Sequence, residues 1–299
     1  MTAAKAGPVR QSYHSAPGAT TGTPVLRYPS RVTITSRQNP LVARFRDAAR
    51  GEAGAAMLLD GAHLVGDAVS AGVALQIAAV TPSALESGEL QTLVSALGQQ
   101  GVEVTLVSAQ VMDAISPVRS PSAIVALAER PETARAQLYR RASPVVVVAV
   151  DVQDPGNVGA IVRVAEAAGA TGVVAAGASA NPFGWKALRG SMGSALRLPV
   201  VAGVDAQDAV GEARRHGCRI VATVPRDGRR LFDADLTGPL ALLVGGEGRG
   251  LPPDIVALAD ERMTIPMQAP VESLNAAVTV AVLLYEAGRQ QAAAAGKRH

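Results

Sequence analysis

The amino-acid sequence predicts an α/β protein in two units, the second built on a mostly parallel sheet with helices on both faces. Three observations carry that prediction. Apolar runs of strand character alternate with segments of helical periodicity between residues 41 and 290. Two of those runs, Val145 to Val150 and Leu240 to Val244, are apolar at every position, as strands buried on both faces require. Turns rich in Gly and Asn follow directly after them, where open α/β sheets form ligand crevices.

Composition bounds the reading. The 299 residues suit two domains of roughly 100 to 200 residues each. Aromatic residues are only 3% of the chain, so nucleic-acid contact must lean on charge, backbone amides and Arg planes rather than on a broad stacking surface. The single Cys218 excludes an intrachain disulfide and a Cys-based zinc site. His14, His63, His216 and His299 show no ligand spacing, so no metal is expected, and Cys218 reads as a small buried apolar residue. No run approaches the roughly 20 apolar residues that cross a bilayer, and the start lacks the apolar core of a signal peptide. A reducing, cytoplasmic setting is the expectation.

The elements follow in order. Residues 1–35 are basic and hold no acid, the first being Asp47. They suit a disordered arm that would gain affinity for RNA or DNA by releasing counterions, a solubilising tail, or an organelle transit peptide; their Pro and Gly argue against the amphipathic helix of the last. Residues 36–130 form a compact α/β unit, with strands at 57–59, 77–80, 102–107 and 123–127 and helices at 41–49, 63–71, 84–98 and 109–115. A helical Arg-bearing connector, 131–142, ends at Ala142-Ser143-Pro144. The second unit, 143–291, reads as strands at 145–150, 172–176, 219–224, 240–244 and 262–266 and helices at 157–168, 206–216, 253–259 and 274–290. Residues 292–299 read as a disordered tail.

Three segments carry chemistry. Gly245-Gly246-Glu247-Gly248-Arg249-Gly250 lets backbone approach a ligand closely, yet its glycines are misplaced for a dinucleotide fingerprint and no phosphate-loop Lys follows. Asp154-Pro155-Gly156-Asn157 turns into a helix bearing Arg163, six residues after Asn157. An Arg on that Ala- and Val-rich helix calls for an acidic or phosphate partner. Ile265-Pro266-Met267 precedes Ser273-Leu274-Asn275, where Ser273 fits as N-cap of the last helix and Asn275 faces a crevice.

Those segments, in that order, resemble the SpoU/TrmH-type RNA ribose 2′-O-methyltransferases over residues 143–290. Residues 36–129 resemble the small RNA-binding domain, similar to certain ribosomal proteins, that precedes the catalytic domain in many members. The first 35 residues have no counterpart there. The resemblance implies a C-terminal trefoil knot, an exception to the rule that chains avoid knots. It implies S-adenosylmethionine bound against Gly245, Gly246, Ile265 and Leu274, with Met267 and Asn275 nearby. Asn157, Arg163, Glu247, Ser273 and Asn275 fall on the family's polar active-site positions. It further implies a homodimer through the C-terminal domain, with the site at the subunit interface. Ribosomal RNA is expected before tRNA, because a separate binding domain suits a structured target. Family accounts have the residue at Arg163's position activate the 2′-hydroxyl, whereas a guanidinium that hardly loses its proton is better suited to positioning. Two other classes remain open: a non-catalytic RNA-binding protein, and another nucleotide-dependent enzyme that lacks the usual phosphate motifs.

Overall fold

The computed structural model describes residues 32–86 and 88–296; most of the basic arm therefore lies outside the described residues. The N-terminal unit is a mixed four-stranded sheet. Its strands are β1 (Ala56–Asp60), β2 (Leu75–Val80), β3 (Glu103–Leu106) and β4 (Ile124–Glu129), in the order β1-β4-β2-β3. Helices α1 (Pro40–Arg50), α2 (Ala62–Ser70), α3 (Gly88–Gln99) and α4 (Ala109–Ile115) cover it. Asn39 starts α1 by accepting the Leu41 N–H at 2.9 Å, with Pro40 in the first turn, where a missing N–H costs nothing.

The C-terminal unit is a parallel seven-stranded sheet. It contains β5 (Val145–Val150), β6 (Gly172–Ala176), β7 (Val200–Val204), β8 (Arg219–Thr223), β9 (Arg229–Arg230), β10 (Leu240–Gly245) and β11 (Glu261–Thr264). The order is β7-β6-β5-β10-β8-β11-β9, so β10 enters between strands laid down before it. Helices α5 (Pro155–Ala167), α6 (Trp185–Ser191), α7 (Ala206–Arg215), α8 (Pro253–Ala257) and α9 (Ala276–Gly296) flank it. Alternate residues of the central strands enter two cores: Val147, Leu242 and Val244 pack with α5 and α9, while Val146, Val148 and Leu243 pack with α7 and α8. Cys218 is buried as expected, and burial pushes its thiol up to about 11.

The structure corrects several sequence expectations. The connector holds only a short 3-10 turn, Arg135–Tyr139, because Leu138 and Tyr139 anchor it against the second core. α6, β7 and β9 lie in stretches without a legible periodicity and were not expected. α9 continues to Gly296, past residue 291 and into the stretch read as a disordered tail, since an Ala run such as 292–295 holds a helix readily. It begins at Ala276 rather than at 274.

Candidate active site

Parallel register brings the ends of β5 and β10 side by side, with Val150 opposite Gly245. The turns that follow therefore meet. Asp154 caps α5, its Oδ1 accepting the Asn157 N–H at 2.8 Å, and this fixes Asn157 in the first turn. The turn after β10 closes on itself through the Gly250 N–H donating to Gly246 O at 3.1 Å. Gly248 and Gly250 adopt φ of +86° and +66°, a region that disfavours any side chain. Asp151, at the end of β5, is left-handed without being glycine (φ 55°), and its Oδ1 accepts the Ala178 N–H at 2.7 Å. Its carbonyl lies where a side-chain carbon at Gly246 would stand, so a bare Gly246 lets the two turns pack.

A polar chain then links all three segments. Asn157 Nδ2 donates to Glu247 Oε1, and Asn275 Nδ2 donates to Asn157 Oδ1 at 2.9 Å. These partners are 90 and 118 residues apart in sequence. Asn275, not Ser273, is the cap of α9: its Oδ1 accepts from the N–H of Ala277 at 2.9 Å and of Val278 at 3.3 Å, and its carbonyl accepts from Thr279. The reason is register, for the helix starts two residues later than the sequence pattern placed it.

Beside this chain lies a cavity of about 430 Å³, a volume in the usual range for small-molecule sites. Gly245, Gly246, Glu247, Ile265, Met267, Ser273, Leu274 and Asn275 all line it. Asn157 stands outside the lining but is held to it by Glu247 and Asn275. Arg163 does not join the cluster. It is exposed, has no partner among the described residues, and sits about 9 Å farther along the helix axis and roughly 120° around it from Asn157. Its exposure corrects the expectation of an Arg packed toward the sheet, and of the acidic or phosphate partner expected for it no acid stands beside it among the described residues. Thr223, Val224 and Pro225 also line the cavity and were missed, because the end of β8 carries no glycine motif and only the folded sheet puts it beside β10.

The pocket suits a nucleoside carrying a charged amino-acid tail. Val224, Ile265, Met267 and Leu274 offer apolar surface, the Gly-rich turn offers backbone groups, and the Glu247 carboxylate gives the rim a negative charge that favours a sulfonium. Among the described residues no three His, Cys, Asp or Glu side chains gather as a metal set.

Comparisons with known proteins identify the family. The model of the SpoU rRNA methylase family matches residues 144–285, and that of the thiostrepton-resistance methylase N terminus matches residues 31–141. An uncharacterized tRNA/rRNA methyltransferase of Synechocystis sp. is 34% identical over 88% of this chain and 95% of its own length. The 23S rRNA (guanosine(2553)-2′-O)-methyltransferase RlmP of Bacillus subtilis is 30% identical over 76% of this chain and 86% of its own. The AdoMet-bound crystal structure of an rRNA methyltransferase from Sinorhizobium meliloti superposes with a TM-score of 0.77 at 26% identity, covering 86% of this chain and 97% of that one. Fold and site together define an α/β methyltransferase of the trefoil-knot class, fronted by a mixed-sheet domain. The chain belongs to the SpoU/TrmH family of RNA ribose 2′-O-methyltransferases, and S-adenosylmethionine is its cofactor.

Proposed function

We propose that the chain methylates a ribose 2′-hydroxyl of ribosomal RNA, rather than of tRNA, in the cytoplasm, at a site completed by a second copy of itself. The observation that carries the reading is the Glu247–Asn157–Asn275 chain at the rim of the cavity. Bound S-adenosylmethionine supplies an already activated methyl group, which leaves to the protein the alignment of the hydroxyl and the removal of its proton.

Gly245, Gly246, Ile265, Met267 and Leu274 would hold the cofactor. Asn275 and Glu247 bracket the Asn157 amide from both sides, which fixes its orientation. Ser273 lies on the same rim with its hydroxyl free to meet the ribose. Arg163 would hold the phosphate next to the target and stabilise the developing alkoxide through its guanidinium. Its distance from the Asn157 cluster within one chain is what calls for a dimer. α5 packs on α9, whose outer side exposes Val278 and Tyr285, apolar surface suited to a second copy. Residues 36–130 would grip the RNA, 131–142 would link, and 143–291 would do the chemistry. The choice of ribosomal RNA rests on that separate binding unit and on similarity to the Bacillus subtilis 23S enzyme.

Mapping ribose methylation across total RNA from a strain lacking the gene and from its parent tests this reading. Loss of one ribosomal 2′-O-methyl group is the expected result; loss confined to tRNA overturns the substrate, and no loss overturns the activity.

A further inference from the structure

Two units on one connector are free to change their relative angle unless contacts across the seam hold them. Here one segment of the C-terminal unit supplies a series of such contacts at positions four residues apart, beside the Arg130 guanidinium over the Phe183 ring. Trp185 packs against the apolar cluster around Val42, Phe45 and Ile115 of the N-terminal unit. Arg189 Nη1 lies 4.0 Å from Asp60 Oδ1, a fully buried carboxylate that accepts from the Ser116 and Ser122 hydroxyls, each at 2.6 Å. Gly193 follows left-handed Met192 with φ +78°, and a side-chain carbon there would overlap the Asp67 carboxylate of α2.

Arg197 closes the series. Its Nε and Nη2 donate to the two oxygens of Glu166 on α5, both at 2.9 Å, a fork-on-fork pairing inside the C-terminal unit. Its third nitrogen, Nη1, reaches across the seam to Asp67 Oδ1 at 3.4 Å. One rigid, planar cation is thus shared between two acids on different units. Glu166 stands on the same helix as Asn157 and Arg163, so the clasp ties α2 directly to the element that bears the catalytic groups.

We infer that Arg197 is a positioning residue that fixes the angle of the N-terminal unit to α5 and so decides which ribose of a bound RNA reaches the site. The inference rests on the proposed gripping of RNA by the N-terminal unit. Asp67→Ala removes only the arm across the seam and leaves the Arg197–Glu166 pair in place, whereas Asp67→Glu keeps a carboxylate there. The seam is read by the distance distribution between spin labels at Gln99→Cys and Thr237→Cys, both exposed, while native Cys218 is buried.

In Asp67→Ala the distribution broadens and affinity for S-adenosylmethionine by calorimetry is unchanged. On an unmodified 23S rRNA transcript, kcat stays within about twofold while KM for RNA rises about fivefold, the upper reach of one exposed ion pair, and methyl groups spread to neighbouring riboses. Asp67→Glu restores the parent behaviour. A distribution as narrow as the parent's overturns the clasp, and because that measurement needs no RNA it decides the point whatever the natural substrate. A broadened distribution with unchanged KM and unchanged target ribose overturns the control of site choice, and counts against RNA gripping by the N-terminal unit as well.

Discussion

Asn275 does two jobs with one amide, and substitution can separate them. Its Oδ1 caps α9 through the Ala277 and Val278 N–H groups, and its Nδ2 holds Asn157 at 2.9 Å. Asn275→Ala loses both. The cap is worth about 1 kcal/mol and the exposed amide pair about 0.5 to 1 kcal/mol. The sum approaches 2 kcal/mol, which at roughly 2 to 4 °C per kcal/mol lowers Tm by about 4 to 8 °C. Asn275→Asp keeps an acceptor well suited to the cap, but has no N–H for Asn157 and sets a second negative charge near Glu247. It should melt about 1 to 4 °C below the parent while kcat/KM falls about 100-fold, the scale of one lost preorganised hydrogen bond. Thermal unfolding by circular dichroism and incorporation of labelled methyl groups into RNA measure the two effects separately. An Asn275→Asp variant as unstable as Asn275→Ala would refute the cap, and one with full turnover would remove the orientation of Asn157 from the mechanism.

Further outcomes follow from the same geometry. Arg163→Lys keeps the charge but loses the planar fork, so it should bind RNA and cofactor with turnover down at least about 100-fold; unchanged turnover takes Arg163 out of the reaction. Val278→Asp places a charge on the exposed apolar side of α9, and sedimentation should show a monomer without turnover that retains its circular dichroism; an active monomer would refute a shared site. Glu286 is held down to about 2 by hydrogen bonds from Arg289 and Gln290, against an ordinary value of 4.5. A carboxyl depressed in the folded chain stabilises it above its unfolded value, and that contribution fades as pH falls from about 4.5 toward 2. Glu286→Gln should therefore show a shallower loss of stability across that window in acid-dependent urea unfolding, and identical slopes would show that the pairing contributes nothing.

Much of the fold was legible because burial leaves a local imprint. Val145 to Val150 and Leu240 to Val244 are apolar throughout, since each is covered on both faces, and that alone marks parallel central strands. Gly248 and Gly250 stand where the backbone turns left-handed, so the loop was legible as well. The helix of 185–191 and the strand of 200–204 left no such trace. α6 is seven residues long and packs against α5 through small residues, Gly159 against Ala187 and Gly190, which produces no apolar stripe.

The chain by itself determined which residues could do the chemistry and that they stand at strand ends. Tertiary structure decided that they meet. The insertion of β10 between β5 and β8 makes neighbours of Asn157, Glu247 and Asn275, and the helical register of α5 turns Arg163 outward, away from all three. Periodicity records how a residue's own element is covered. Which strand lies beside which is settled by pairings between distant segments, as where Leu240 of β10 pairs with Val145 of β5, and these leave no mark on the local pattern.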